Sequence, residues 1–294
     1  MKINNNSDFD KYNYDVSWTC DDWYDNIHHI HNSCEFLFVE EGAATYYIEG
    51  KAYYVEAGDV LTIEAMHHHR RVIDKLPFKR YGLTIKPTYY KGLMLDDDLM
   101  KVFGTPSVEY FNKNCKAIAP EVFDELVTLL KMLKEEHKQS KPFSSNLERA
   151  LLVQLTILLF RVFGLKRDKV PLTSIQATML EIKEYISANY EKELTLKTLS
   201  EKFFLHPSTI SKEFHKYCDQ SLNKYINASR ISASTKMLEN TNDSIGEIAG
   251  KCGFESENTF LRQFKGIMET SPTSYRKTFR ELRQESENQT MKNK

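Results

Sequence analysis

Two hydrophobic patterns divide the chain. Between residues 27 and 90, short runs of aromatic and β-branched residues are separated by turns at Glu41-Gly42, Glu49-Gly50 and Ala57-Gly58-Asp59. Because β-branched and aromatic side chains favour strands and glycine favours tight turns, this region predicts a series of hairpins. Short strands at such regular spacing are typical of a β-sandwich or a β-barrel.

Residues 120–163 follow a helical repeat instead, and Lys141-Pro142 divides it into two predicted helices. The second of these helices is apolar on more than one face, so packing within its own domain and packing against a second copy both fit the pattern. Residues 165–176 lack periodicity and predict a linker. The apolar residues of the two helices are Val122, Leu126, Leu129, Leu130 and Leu133, then Leu147, Leu151, Leu155, Leu158 and Leu159.

Composition narrows the class of protein only a little. The 294 residues are enough for about two domains, and the net charge of -1 means that any nucleic-acid surface must come from local clustering. The five cysteines form no CxxC pair, so we expect neither disulfides nor a zinc ribbon. The first residues lack the apolar segment of a signal peptide, and the most apolar stretch, Ala150–Phe163, is too short to span a bilayer. We therefore expect a cytoplasmic protein.

The last third of the chain contains a weak internal repeat. The segment Thr195–Phe203 matches Ser244–Cys252, and the segment Thr209–Tyr225 matches Thr259–Tyr275. Each copy begins with a hydroxyl residue suited to an N-cap and continues with apolar residues at helical spacing. Each copy then turns into a second short helix, so each predicts a helix-turn-helix unit whose second helix can enter the major groove.

A continuous helical pattern, Leu222–Asn240, lies between the two copies. Its length of roughly 28 Å, at about 1.5 Å per residue, is close to the roughly 34 Å between successive major-groove faces of B-DNA. Such a helix could hold two recognition helices one DNA turn apart.

A composite signature lies between residues 178 and 280, formed by Ile210, Ser211, Lys212, Glu213, Phe214, Tyr225, Ile226, Arg230, Ile231, Ala233, Ser244, Ile245, Ile248, Ala249, Gly253, Phe254, Phe260, Phe264, Lys265, Ser271, Pro272, Tyr275 and Arg276. With this signature, residues 178–280 resemble the DNA-binding domain of the AraC/XylS family of bacterial regulators. Asp219 and Glu269 occupy positions where that family usually has glycine. The resemblance implies double-stranded DNA as a partner, RNA polymerase as a further candidate partner, an N-terminal effector domain, and a homodimer formed through the N-terminal region, with no enzymatic activity.

Helix position and resemblance together select the residues expected to face DNA. Arg262 is the best candidate for a bidentate contact with guanine, and Asn258 could pair with adenine. Lys212 and Lys265 suit phosphates. The full set is Ser208, Thr209, Ser211, Lys212 and His215 on the first recognition helix, and Glu257, Asn258, Arg262 and Lys265 on the second.

Six of the nine histidines lie in two clusters, at residues 28–31 and 67–69. The spacing His29-x-His31-x-x-x-Glu35 resembles the first metal-binding motif of cupins, and His69 follows at about the place of the last cupin ligand. The resemblance leaves two alternatives open: a metal site formed by His29, His31, Glu35 and His69, or an organic effector pocket formed by the same residues with Tyr47. We expect these side chains to lie close together and to bind an effector, with no cofactor.

The sequence therefore predicts four regions: a cupin-like β-barrel that senses an effector (1–118), a helical dimerisation segment (119–164), the linker (165–176), and an all-α DNA-binding domain with two helix-turn-helix units joined by a long helix (177–294). Regulators of this architecture often sense sugars, so a carbohydrate effector is expected. Two alternatives remain at this point. One is a cupin metalloenzyme with an accessory DNA-binding domain, and the other is a constitutive regulator whose barrel serves only dimerisation.

Overall fold

The computed structural model describes residues 13–21, 28–86, 89, 92–93, 98–103, 115–139, 141–164, 174–218 and 220–281. Trp23, Asp219, most of the predicted linker and the chain after residue 281 lie outside these ranges. Within them, a sheet-rich part precedes a helical part, as the hydrophobic pattern predicts.

The sheet-rich part is built from antiparallel strands. They are β1 (Tyr14–Asp21), β2 (His28–His29), β3 (Cys34–Ile48), β4 (Lys51–Glu56), β5 (Asp59–Ile63), β6 (His69–Ile85) and β7 (Cys115–Ala117). Their order in the sheet is β1-β6-β3-β5-β7, while β2 also pairs with β6 and β4 with β3. A short 3₁₀ helix, Leu99–Phe103, lies between β6 and β7.

Strand β3 changes partners along its length and bends between them. Glu35–Phe38 pair with β5, whereas Ala43–Ile48 pair with β4, and register shifts lie between these two halves. Gly42 has φ +85° there, and a Cβ on it would lie 2.3 Å from the carbonyl oxygen of Pro77. Only glycine fits this bend, because any side chain would collide with backbone.

The bulges also change which side chains of β3 share a face. Leu37 and Val39 before the bend belong to the same apolar cluster as Ala44 and Tyr46 after it, so the alternation shifts by one residue. We call the face that holds this cluster the inner face. The buried residues of the cluster are Leu37, Val39, Ala44, Tyr46, Ile48, Val55, Leu61, Ile63, Ile73 and Phe78.

The opposite face of the sheet packs against two helices, α1 (Pro120–Gln139) and α2 (Ser144–Val162). Both helices were expected from the leucine repeat, and most of the repeat leucines are buried against the sheet. Leu147 is 43% exposed and Leu158 is half-buried. The helix pair therefore packs within its own domain while leaving part of α2 on the surface.

The helical part contains α3 (Ser174–Ala188), α4 (Leu196–Phe203), α5 (Pro207–Cys218), α6 (Leu222–Asn240), α7 (Ile245–Lys251), α8 (Glu257–Met268) and a last helix, α9, over residues 272–281. Helix α3 begins inside the range predicted as linker. Helix α6 has the predicted bounds and buries residues around most of its circumference, so it is the central helix of this region. None of the helices described is long and apolar enough to cross a membrane.

Candidate functional site

The first helix-turn-helix unit consists of α4 and α5. The Thr195 side chain accepts a hydrogen bond from the amide of Thr198, and the Thr198 side chain bonds back to the amide of Thr195, which is a reciprocal capping box. Phe204 ends α4 in the left-handed conformation, and the Ser200 hydroxyl donates to the carbonyl oxygen of Leu205 at 2.6 Å. Local hydrogen bonds thus form the tight turn that the repeat predicts.

The second unit consists of α7 and α8 and repeats this arrangement with different residues. Ser244 and Glu247 form its capping box, and the Ser256 hydroxyl accepts from the amide of Thr259 to begin α8. Gly253 stands at the turn with φ +80°, and a Cβ on it would lie 2.7 Å from the carbonyl oxygen of Glu191. This turn therefore requires glycine for its conformation and for its space.

Most residues expected to face DNA are on the surface of α5 and α8. On α8, Asn258, Arg262 and Lys265 recur at helical spacing on one side, opposite the buried rings of Phe260 and Phe264. The expected residues that are exposed are Ser208, Ser211, Lys212, His215, Glu257, Asn258, Arg262 and Lys265, and Thr209 is half-buried.

Among these residues, Glu257 lies close to α7, the first helix of its own helix-turn-helix unit. A Cβ placed on Gly246 would lie 2.8 Å from a carboxylate oxygen of Glu257, so this carboxylate rests over the first turn of α7. A negative charge is favourable there because the first turn of a helix carries unpaired amide groups.

Two arginines of the family-like signature have structural roles that the sequence analysis did not assign. Arg230 donates to the carbonyl oxygens of Tyr190 and Lys192 at 2.9 and 3.0 Å. Arg276 donates to the carbonyl oxygens of Leu238 and Asp243 at 3.3 and 2.7 Å. Each arginine thereby fixes the segment that leads into one helix-turn-helix unit.

In the sheet-rich part, three of the expected site residues meet. The Nε2 atom of His31 lies 3.2 Å, and that of His69 3.5 Å, from the same carboxylate oxygen of Glu35. Desolvation raises the pKa of Glu35, but the hydrogen bonds and charges of the two histidines outweigh it and hold this pKa well below its usual range. The carboxyl group is therefore ionised.

His29 and Tyr47 occupy other positions. The His29 ring is exposed and stacks on His69 with 5.6 Å between ring centroids. Tyr47 lies on the face opposite to its neighbour Tyr46, with the guanidinium of Arg70 3.8 Å from its ring centroid. The structure thus does not bring Tyr47 to the group, because the bulges in β3 place its side chain on the other face.

A second polar group lies on the inner face, and the sequence analysis missed it. The buried carboxylate of Asp21 forms ion pairs with Arg71, at 3.1 Å, and with Arg80. Three buried atoms near these arginines have no hydrogen-bond partner among the described residues: Thr19 Oγ1, Asp21 Oδ1 and the Tyr46 hydroxyl oxygen. Thr19 pairs with Arg80 and Tyr46 with Arg71 across the strands, so all three atoms belong to residues beside the two arginines.

The sheet-rich and helical parts are in contact beside the histidines. Ile30 and Met66 are buried in the apolar cluster of the helical part, although they belong to the segments that carry His31 and His69. The Lys224 ammonium, in the first turn of α6, forms an ion pair with Glu49. Glu49 in turn accepts a hydrogen bond from the amide of His68 at 2.9 Å.

Comparison with known proteins identifies both parts. The sequence matches the AraC-like ligand binding domain over residues 17–155 and a helix-turn-helix domain over residues 199–278. It is 26% identical over 267 residues to the HTH-type transcriptional regulator YdiP of Escherichia coli K12, covering 90% of this chain and 85% of YdiP. It is 23% identical over 252 residues to the HTH-type transcriptional activator RhaR of Mannheimia succiniciproducens, covering 85% of this chain and 87% of RhaR.

The fold resembles that of a solved structure. The structure of ToxT from Vibrio cholerae aligns with 90% of this chain and 97% of ToxT, with a TM-score of 0.60 at 13% identity. The metalloenzyme alternative is therefore wrong, since both domains and the relatives are those of regulators. The chain is a DNA-binding transcription regulator of the AraC family, with an AraC-like ligand-binding domain followed by a helix-turn-helix region.

Proposed function

We propose that this regulator responds to a small polar molecule, a carbohydrate, bound on the inner face of the sheet-rich domain. The observation that carries the proposal is the contact between the two parts of the chain. Ile30 and Met66, which come from the sheet-rich domain, are buried in the core of the DNA-binding region. A change in the sheet-rich domain that moves either residue must disturb that core, because packed interiors do not deform continuously.

The buried polar group on the inner face supports this class of effector. A buried polar atom without a partner costs about 1–3 kcal/mol, which a bound polar molecule can recover. Sugar hydroxyls both donate and accept hydrogen bonds, so they suit Asp21 Oδ1 and the hydroxyls of Thr19 and Tyr46.

The two helix-turn-helix units would read adjacent major grooves of double-stranded DNA. Central helix α6 has 19 residues and joins them, and both recognition helices turn polar residues to the surface. We place this activity in the cytoplasm, where the DNA lies. RNA polymerase is the further partner that a promoter-bound regulator would meet.

Self-association through α2 is the proposed assembly. Leu147 is exposed, and Val153, Ile157 and Leu158 are half-buried along a groove on the same helix. A second copy could cover this groove and bury the apolar residues. We expect Ile157→Glu to make the protein monomeric in sedimentation at micromolar concentration. The control Thr128→Glu, on the exposed side of α1, should not change the sedimentation coefficient.

The experiment that tests the effector has two parts. A thermal-shift screen of sugars against the full-length protein should find one that raises the melting temperature, because a ligand at about 100 times its Kd stabilises by about 2.7 kcal/mol. That sugar should fail to stabilise Asp21→Asn. The control Tyr54→Ser changes a mostly exposed tyrosine of the same domain. This variant should still show the rise in melting temperature with the sugar.

The second part measures coupling. Operator fragments selected with the purified protein are titrated by fluorescence anisotropy with and without the sugar. We expect the sugar to change the Kd for DNA of the wild-type protein, and to lose this effect in the Ile30→Ser, Met66→Ser double variant. If the sugar binds and DNA affinity never responds, the regulator is constitutive, as in the alternative raised by the sequence.

A further inference from the structure

The His31, Glu35 and His69 side chains form a second constellation, separate from the polar group around Asp21. They come from three separate places in the sheet-rich domain. His31 precedes β3, Glu35 lies at the start of β3, and His69 lies at the start of β6. One potential ligand atom from each lies within 4.8 Å of the other two. His69 is 4% exposed, while His31 and Glu35 are 23% and 21% exposed, so the group is buried on one side and reachable on the other.

The hydrogen bonds of the two imidazoles determine which nitrogen points inward. The Nδ1 atom of His31 lies 3.0 Å from the carbonyl oxygen of Ser33, and the Nδ1 atom of His69 lies 3.0 Å from that of His67. The Ser33 hydroxyl also lies 2.8 Å from the Nδ1 atom of His31. These bonds hold both rings with Nε2 directed at the same carboxylate oxygen of Glu35.

Two imidazole nitrogens and one carboxylate oxygen therefore converge on one point, where each can act as a ligand to a cation. A carbonyl bond to the outer nitrogen is also how metal-binding histidines are usually held, because it fixes the ring and its tautomer. The convergence of the three atoms and the outer hydrogen bonds together indicate a metal.

The distances agree with this assignment. Zinc binds imidazole nitrogen at about 2.0–2.1 Å and carboxylate oxygen at about 2.0–2.2 Å, which places ligands of a tetrahedral site roughly 3.4 Å apart. The observed separations from the Glu35 oxygen are 3.2 Å to His31 and 3.5 Å to His69. Two imidazoles and a carboxylate suit Zn²⁺, Fe²⁺, Mn²⁺ or Ni²⁺ and leave coordination positions open for water.

We propose that His31, Glu35 and His69 bind one divalent transition-metal ion, and that this ion fixes the two segments that hold the DNA-binding region. The second half of this statement rests on the proposed function, whereas the first half does not. Ile30 is adjacent to His31, and the amide of Met66 donates to the carbonyl oxygen of His31 at 2.9 Å. An ion bound to His31 and His69 therefore ties together the two segments that place Ile30 and Met66 in the other core.

Metal binding is tested on the full-length protein after treatment with a chelator. Titration with Zn²⁺, followed by desalting and elemental analysis, should give one ion per chain, and Co²⁺ should give the visible absorption of a nitrogen- and oxygen-ligated site. Glu35→Gln, which keeps the size of the side chain, and His69→Ala should each lower the affinity at least 10-fold. His67→Ala, from the same histidine run but outside the group, should bind as the wild type does.

Several results would overturn the metal site. A wild-type protein that retains no Zn²⁺ would do so, as would equal uptake by Glu35→Gln and the wild type. Melting curves of the metal-free proteins distinguish a lost ligand from a lost fold, because a folded Glu35→Gln protein without metal supports the assignment.

Regulation is tested separately by operator binding with and without Zn²⁺. We expect the Kd for DNA to change by at least about 5-fold, the lower limit of typical coupling between sites, and not to change in Glu35→Gln. Metal uptake with an unchanged Kd for DNA would overturn the part of the proposal that links the metal to the DNA-binding region. DNA binding that responds to a sugar in a protein without any metal affinity would overturn the metal site and leave the proposed function in place.

Discussion

The two helix-turn-helix units share a plan but end their first helices differently. Both begin with a hydroxyl N-cap in a capping box, and both bury aromatic residues behind the recognition helix. In the first unit the turn residue is Phe204, which has a left-handed backbone and a side chain that is 93% exposed. In the second unit it is Gly253, which lies against the backbone of Glu191.

The difference comes from what each turn contacts. Phe204 points into solvent, so an ordinary residue can accept the backbone strain there. Gly253 meets the segment that leads into the first unit, the same segment whose carbonyl oxygens Arg230 holds at Tyr190 and Lys192. The second turn therefore connects the two units as well as ending the first helix of its own unit. This contact between Gly253 and Glu191 sets how the recognition helices lie relative to each other.

The largest expected effect is on the stability of this contact between Gly253 and Glu191. Gly253→Ala should destabilise the protein by about 2–4 kcal/mol, because it adds left-handed strain and a backbone collision. Gly250→Ala, three residues earlier in α7, has nothing within 4 Å of the new Cβ and should be neutral or slightly stabilising. Urea unfolding of both variants measures the difference. Equal stability of the two variants would mean that the second turn is as free as the first.

The next effect is on operator binding and distinguishes a base contact on one recognition helix from a phosphate contact on the other. Arg262→Ala, on the second unit, should weaken operator binding by about 1–3 kcal/mol and relax the preference at one base position. Lys212→Ala, on the first unit, should weaken binding on all sequences and reduce the salt dependence by about one phosphate contact. Anisotropy titrations on operator and mutated operator fragments at several salt concentrations test both. A uniform loss for Arg262→Ala would make it a phosphate contact instead.

A smaller effect tests the strain in the first turn. Phe204→Gly should stabilise the protein by about 0.5–1 kcal/mol, because glycine adopts the left-handed conformation without steric cost. Phe204→Ala removes the same exposed ring but keeps the Cβ, so it should bring no such gain. Urea midpoints compare the pair, and a gain of the same size in both would assign the effect to the ring and not to the backbone.

The smallest effect concerns the link between α6 and the sheet-rich domain. Desolvation raises the pKa of Glu49, but hydrogen bonds from Lys224 and the amide of His68 outweigh it and lower this pKa. The ion pair is therefore present above the usual carboxyl range and is lost as pH falls through the lowered value. Glu49→Gln should cost about 0.2–1 kcal/mol at neutral pH, as expected for an exposed pair.

The control for this prediction is pH. Melting temperatures of Glu49→Gln and the wild type should converge as the pH is lowered below the carboxyl range. Ser274, which corresponds to Lys224 in the second copy of the repeat, forms its side-chain bond within its own turn, so Ser274→Ala should not show this pH dependence. A constant difference for Glu49→Gln at every pH would show that the charge of Glu49 has no role in the contact.

The regular parts of this protein could be predicted because they repeat. Thr195 and Ser244 cap the predicted helices, α6 has its predicted bounds, and the leucines of α1 and α2 are buried as their spacing indicates. These features depend on residues close in sequence, whose hydrogen bonds and periodicity the chain itself displays. The regulator assignment follows from the same repeat.

Contacts between distant segments could not be predicted in this way. Tyr47 was expected in the pocket, but the bulges of β3 turn it to the other face and leave Tyr46 inside. Asp21, Arg71 and Arg80 are far apart along the chain, and only strand pairing brings them together.

The sequence by itself determined the order of a sheet-rich sensor and two helix-turn-helix units, because periodicity and capping are local properties of the chain. Tertiary structure decided where the chemistry lies. Register set the partners of Glu35, backbone proximity made Gly253 necessary, and packing across the two domains placed Ile30 and Met66 in the DNA-binding core. Each depends on distances between segments that no local pattern records, and those same distances connect the sensor to the DNA-binding region.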